Sequence, residues 1–322
     1  MPLKTIETPA STDLAESIKD ALDATFLRVT HVKELLRELE ACLRTGQRKA
    51  KPRHLVIFGE SGVGKSKLLE VFSGMHPRLE LADRSVIPVL RASMPSLPTP
   101  KRIVVELLKA MGSPFATKGK DDEPILQLKT LCTACGVQLV LLDEVSHLVD
   151  RGREKTHYRY GDALKEVVDA LGIPFVLTGI PRLMKLFDVN EQLRGRFSRR
   201  RTIKPFSIVG DKRLEEFRSV VHSFRAKFKG IDSIDLTTKE LLPRVFMATN
   251  GLLRPLVDLL KEAVELAART KGRSLTRATL EAAFDAAIWN EAPKTRNPFA
   301  EDFNFVPLIQ TGEPYATPER DL

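Results

Sequence analysis

Cysteine, tryptophan and tyrosine are scarce in this chain: three, one and three among 322 residues. Cys42, Cys132 and Cys135 are too few, and odd in number, for a disulfide framework. "CTAC" is a single C-x-x-C with no second pair and no nearby histidine pair, which is a poor zinc ligand set. All three read as helix residues in a reducing compartment. So small an aromatic supply makes no stacking platform for single-stranded nucleic acid. No apolar run approaches the roughly 20 residues of a membrane span. The opening "MPLKTIETPASTDLAE" lacks the basic-then-apolar layout of a secretory signal, so a cytoplasmic location is expected.

What is present is a globular composition, 43% hydrophobic, with a length suited to two domains. The formal net charge of +9 favours an acidic polymer as partner, and the basic residues cluster. "RGRFSRRRTIK", residues 194–204, contains six basic residues and no acid. "DRGREKTHYR", residues 150–159, is a second cluster and includes Tyr158; Tyr160 follows directly. Both rings are placed to touch sugar or phosphate.

Hydrophobic periodicity divides the chain into four segments. Residues 1–52 read as polar and helical, ending in the basic linker "RTGQRKAKPR". Residues 53–206 alternate strand-like and helix-like stretches, predicting an α/β core with a five-stranded parallel sheet covered on both faces. The strands are expected in "HLVIFG", "SVIPVLRA", "VQLVLLDE", "IPFVLTG" and "RRTIKPF". Residues 207–291 predict a small helical lid domain, with helices over 212–228, 238–249, 253–270 and 277–289. Residues 292–322, rich in proline and acids and without periodicity, read as a flexible tail.

The most specific motif is "GESGVGKSKLL", which follows the apolar strand "HLVIFG". Gly59, Gly64, Lys65 and Ser66 complete G-x-x-x-x-G-K-[ST] between a strand and a helix. Backbone N–H groups over Gly59, Glu60, Ser61, Gly62, Val63 and Gly64 would form an anion nest at a helix N-terminus. Lys65 would reach the β- and γ-phosphates of ATP, and the Ser66 hydroxyl would ligate Mg²⁺. The third strand ends in Asp143 and Glu144. In a parallel sheet that end lines the ligand crevice, so Asp143 is expected on the Mg²⁺ water shell and Glu144 on the attacking water.

An Asp-Glu pair with a following helical domain resembles the AAA+ class of ATPases. In that pattern Thr178, ending "FVLTG", would orient the water. Arg196 in "LRGRF" would face a neighbouring subunit, and Arg254 in "NGLLR" would reach back over the phosphates. His147 in "DEVSHLV" is read as a local helix-start residue outside the site.

The chain is also similar to one family, TniB and TnsC, the AAA+ regulators of transposons whose transposase has an integrase-type core. The resemblance rests on "LVIFGESGVGKSKLLE", "VIPVLRASMP", "VELLKAMGSP", "VQLVLLDEVSHLV", "QLRGRFSRR", "KPFS" and "NPFAEDF". It implies a Mg²⁺-dependent ATPase that polymerises head to tail around target double-stranded DNA without reading its sequence. It implies recruitment of the transposase and an answer to a TniQ-type target-selection protein, and hence a nucleoid-associated location. On this sequence the family's ATP residues fall on Lys65, Ser66, Asp143, Glu144, Thr178 and Arg254, with Arg196 acting across the interface. "RGRFSRRR" also offers Arg194, Arg199 and Arg200 for that last role.

A head-to-tail contact gives a ring or an open helix, and an open helix can follow a duplex through phosphate contacts alone. Lys101, Arg102, Arg151, Arg153 and Lys155, on basic loops after the second and third strands, are the expected DNA contacts. The nearest alternative is a helicase loader or replication initiator, also a DNA-bound AAA+ ATPase. A signalling NTPase would not account for the basic clusters, and a small-molecule kinase would need an acceptor site.

Overall fold

A computed structural model describes residues 9–114, 116–117, 123–145, 154–270 and 272–316. The chain forms two compact units. One comprises Arg28–Lys204; the other joins Met1–Leu27 to Pro205–Leu322.

The first unit is built on five parallel strands in the order β4-β5-β6-β1-β7. These are β1 (Leu55–Gly59), β4 (Val89–Ser93), β5 (Leu139–Asp143), β6 (Phe175–Gly179) and β7 (Arg200–Ile203). Two short strands, β2 (Leu79–Glu80) and β3 (Ser85–Val86), make a separate antiparallel pair. "SVIPVLRA" therefore gives two strands instead of one, separated by Ile87 and Pro88; proline has no N–H to offer a ladder. The three central strands, β1, β5 and β6, are buried at every residue, as a sheet covered on both faces requires. Its flanking helices are α2 (Thr30–Gln47), α3 (Lys65–Met75), α4 (Pro100–Ala110), α5 (Glu123–Ala134), α6 (Glu154–Leu171), α7 (Met184–Val189) and α8 (Glu191–Arg196). Cys42 in α2 and Cys132 in α5 are buried free thiols, and burial pushes both up to about 12.

The second unit is helical: α1 (Pro9–Asp23), α9 (Asp211–Arg225), α10 (Leu241–Thr249), α11 (Leu253–Ala268) and α12 (Arg277–Ala287), with a two-residue strand pair, β8 (Asp232–Ser233) and β9 (Ser274–Leu275). Two expectations are corrected here. Residues 1–52 do not form one segment, because α1 belongs with the C-terminal helices and α2 with the sheet. Ala15, Ile18 and Leu22, spaced along one face of α1, are buried. Lys19 pairs with Glu265, and Lys261 pairs with Asp23.

The segment after residue 292 is not a flexible tail as far as Ala316. Phe299, Phe303 and Leu308 are buried, while Phe305, Val306 and Ile309 are exposed. Its backbone carbonyls are taken up by side chains of the helical unit. Arg244 donates to the Pro298 and Ala300 oxygens at 2.6 and 2.9 Å, and Arg277 donates to Phe299 O at 2.6 Å. Charged donors make such bonds strong. A segment too short for a core of its own is thus bound to one already built. Among the described residues no helix is long and apolar enough to cross a membrane.

Candidate functional site

The C-terminal edges of β1, β5 and β6 gather the phosphate-loop lysine and the acid pair. Gly62 and Gly64 adopt φ of 80° and 102°, a region costly for residues with a Cβ. They turn the chain from β1 into α3, whose first residue is Lys65. Lys65 Nζ donates to Gly59 O and Glu60 O, both at 2.8 Å. Burial lowers the Lys65 pKa, opposed by the negative charges of Asp143, Glu60 and Glu144. The ammonium is thereby held beside the acid pair, at the start of a helix whose N-terminus favours anions. Ser66 is exposed at the next position.

Asp143 is buried, 4% exposed. Its Oδ1 accepts the Glu144 N–H at 2.9 Å and the hydroxyl of Thr178, which is fully buried on the neighbouring strand. Arg91 Nη2 lies 4.0 Å from Asp143 Oδ2. The Thr178 hydroxyl, expected to orient a water, braces the carboxylate in this structure. Glu144 is exposed and sits at φ 57°. For a non-glycine residue that is a strained conformation of the kind concentrated at functional sites. The donor set suits a Mg²⁺-nucleotide: a hard carboxylate and a hydroxyl for the cation, an ammonium and backbone N–H groups for phosphate.

The remaining predicted residues do not converge in this way. Arg196 ends α8 and pairs through two nitrogens with Asp169 of α6, Nη2 to Oδ2 at 2.8 Å. Arg194 meets Glu191 at 3.4 Å. Arg200 lies over the Phe187 ring, 5.1 Å from its centroid, and Arg199 is exposed at the entry to β7. Arg254 belongs to the helical unit, largely exposed, with Nε 3.8 Å from Asp258.

Of the expected DNA contacts, Lys101 and Arg102 lie in the first turn of α4, where Thr99 caps the helix. Arg102 also donates to Leu97 O at 3.2 Å. Lys155 is in the first turn of α6. Arg151 and Arg153 lie outside the described residues, as does His147. A cleft of about 540 Å³ separates the start of α4 from the first half of α6, lined by Leu97, Thr99, Arg102, Thr156, Arg159 and Tyr160. Arg102 and Arg159 therefore line one cleft, which their separation in the chain concealed.

Sequence reading missed Arg91, Asp169 and His54. A lone charged residue in a strand or helix carries no signal of its partner. His54 precedes β1, its Nδ1 accepting the Phe175 N–H at 3.1 Å, with the Phe197 ring 5.0 Å away. Burial lowers its pKa to about 4, and the Arg196 charge adds to the effect. An unfolded histidine titrates near 6.5, so between those values the unfolded chain binds the extra proton. Stability is therefore full above pH 6.5 and falls as the pH drops toward 4, by about 3 kcal/mol at the end of that window. Urea unfolding at pH 7.5 and 4.5 should show His54→Gln losing that much less than the wild type; equal losses would rule His54 out.

Comparison with solved structures finds the same fold, a parallel five-stranded sheet with flanking helices, in several proteins. Cdc6p from Pyrobaculum aerophilum matches with TM-score 0.61 and 15% identity, over 85% of this chain and 72% of that one. The Aeropyrum pernix ORC2 protein, in ADPNP–ADP complexes, matches with TM-score 0.58 and 15% identity, over 84% and 72%. Aeropyrum pernix ORC1, solved in complex with DNA, matches with TM-score 0.57 and 17% identity, over 81% of this chain. This chain spans 66% of that ORC1 chain, just under two thirds. No curated protein matches the sequence. The family model for bacterial TniB protein matches residues 18–206. That is more than half of the chain and takes in the phosphate loop, the acid pair and the arginine-rich segment: this chain belongs to the TniB family.

Proposed function

We propose that this chain is an ATP-hydrolysing regulator of DNA transposition, which assembles on double-stranded target DNA and recruits a transposase to it, under a TniQ-type selector. The observation that carries the reading is the convergence of Lys65, Asp143, Glu144 and buried Thr178 at one edge of the sheet. Gly59–Ser66 would hold the triphosphate, and Lys65 would exchange its two carbonyl partners for phosphate oxygens. Mg²⁺, held by Ser66 and Asp143, would supply charge neutralisation on the phosphates. Glu144 would take the proton of the attacking water, and Thr178 would orient that water while its hydroxyl holds the Asp143 carboxylate in place. Arg196 would complete a neighbour's site and so link nucleotide state to assembly. Arg254 is proposed to contact the phosphates from the helical unit.

Family membership supports the transposition reading, and ORC1 solved with DNA supports a DNA partner. A replication-initiator role is the second reading, favoured by the fold shared with ORC1 and Cdc6p. A transposition assay with the element's transposase separates them: loss of insertion without this chain is expected, and unaffected insertion sinks the first reading.

DNA contact through phosphates makes its own prediction. Affinity should be nearly independent of sequence and fall steeply with salt, about 0.9 log units per log unit of salt for each phosphate neutralised. Replacing Lys101, Arg102, Arg151, Arg153 and Lys155 by alanine should flatten that slope by about 4 and weaken all duplexes alike. Gel shifts across a salt series with an ATP analogue read this out. An unchanged slope would move the DNA surface elsewhere.

A further inference from the structure

We propose that Asp169 is a positioning residue for the arginine that acts across the subunit interface; this rests on the reading that Arg196 has that role. The Asp169 carboxylate receives the Nε and Nη2 edge of Arg196, with Nη2 to Oδ2 at 2.8 Å. A two-point contact of this kind fixes the plane of the guanidinium as well as its place. Nη1 is left with two N–H donors and no partner among the described residues, on a side chain 38% exposed. That is the end available to a neighbour's phosphate.

The frame around the pair is fixed at both ends of α8. At its start, buried Asn190 caps the helix by accepting the Leu193 N–H at 2.8 Å and donates to Asp162 of α6 at 2.9 Å. At its end, Arg196 meets Asp169 of the same helix. Asp162 and Asp169 are two turns apart and so share a face of α6. Lys165, on the turn between, lies 3.5 Å from Asp169 Oδ2 and steadies the acid. His54 is close enough to the pair for both charges to act on it, and its low pKa keeps it neutral near pH 7. The other arginines of the segment differ. Arg194 has a single contact to exposed Glu191, and Arg200 is spent on Phe187 and Met184. Only Arg196, among the described arginines of 194–201, is oriented by a two-point carboxylate while keeping a free end.

An arginine held in its working geometry loses less freedom on reaching its target. Asp169→Asn removes the charge while keeping the shape, in the full-length protein with duplex DNA and Mg-ATP. Turnover should fall about 5- to 30-fold at an unchanged KM for ATP, the effect of one or two lost kcal/mol. Because the defect lies in the arginine given to a neighbour, mixing with Lys65→Ala protein should restore turnover in Asp169→Asn pockets. Mixing with Arg196→Ala protein should not. A merely structural defect would follow its own pocket and be rescued by neither. Wild-type or raised turnover for Asp169→Asn, or absence of rescue by Lys65→Ala, overturns the proposal. Wild-type turnover for Arg196→Ala overturns the trans reading beneath it, and that result is visible without any Asp169 variant.

Discussion

Glu144→Gln should abolish nearly all ATP turnover while leaving nucleotide binding and DNA-bound assembly in place. The amide keeps the size of the side chain but cannot take a proton, and general-base contributions are typically worth about 10²- to 10⁴-fold. Asp143, with its two donors from Glu144 N–H and the Thr178 hydroxyl, is untouched by the change. So are Lys65 and its two carbonyl contacts. The mutant should therefore accumulate as ATP-loaded assemblies, seen as retained binding of a fluorescent ATP analogue beside lost steady-state phosphate release. Lys65→Ala should do the reverse and weaken binding itself. If Glu144→Gln releases phosphate at a rate near wild type, the strained backbone at Glu144 has another purpose and the water is activated elsewhere.

The largest effect on stability is expected in the helical unit, at Arg296. Its side chain is buried with Glu313, 11% and 7% exposed. Nε donates to Glu313 at 2.7 Å, Nη1 to Asn304 Oδ1 at 2.8 Å and to Val306 O at 3.1 Å, and Nη2 to Pro307 O at 3.0 Å. One guanidinium thus ties down four points of the C-terminal segment. Arg296→Ala leaves a buried carboxylate and two carbonyls without their donor. Breaking one side of such a pair costs about 3–5 kcal/mol. For a chain of this size that should lower the melting midpoint by about 4–7 °C, read by circular dichroism of the full-length protein. Deleting residues 296–322 should be worse, because it also strips Phe299, Phe303 and Leu308 from the helical unit. A midpoint within a degree of wild type for Arg296→Ala would mean that the segment adds nothing to the fold.

Some of this was legible in the chain itself. The phosphate loop is a local feature: eight consecutive positions, with the strand before them and the helix after, suffice to specify the turn. The acid pair is equally local, since a buried strand ending in two carboxylates must deliver them to the sheet's C-terminal edge. Strands β1, β5, β6 and β7 and helices α9 to α12 were legible for the same reason, because apolar spacing within one element reports which face it buries. Partnership between distant residues leaves no such trace. Nothing near Asp169 announces Arg196, 27 positions on, and an acid on a polar helix face looks the same whether solvated or paired. The same holds for Thr178 bracing Asp143, for α1 leaving its neighbour α2 to join the C-terminal helices, and for a proline-rich acidic segment buried by arginines more than 20 residues upstream. Local sequence determined the elements and the residue types gathered at their ends. Long-range packing decided which surfaces are core and which charges face one another, because burial and ion pairing depend on distance in space, which local spacing does not encode.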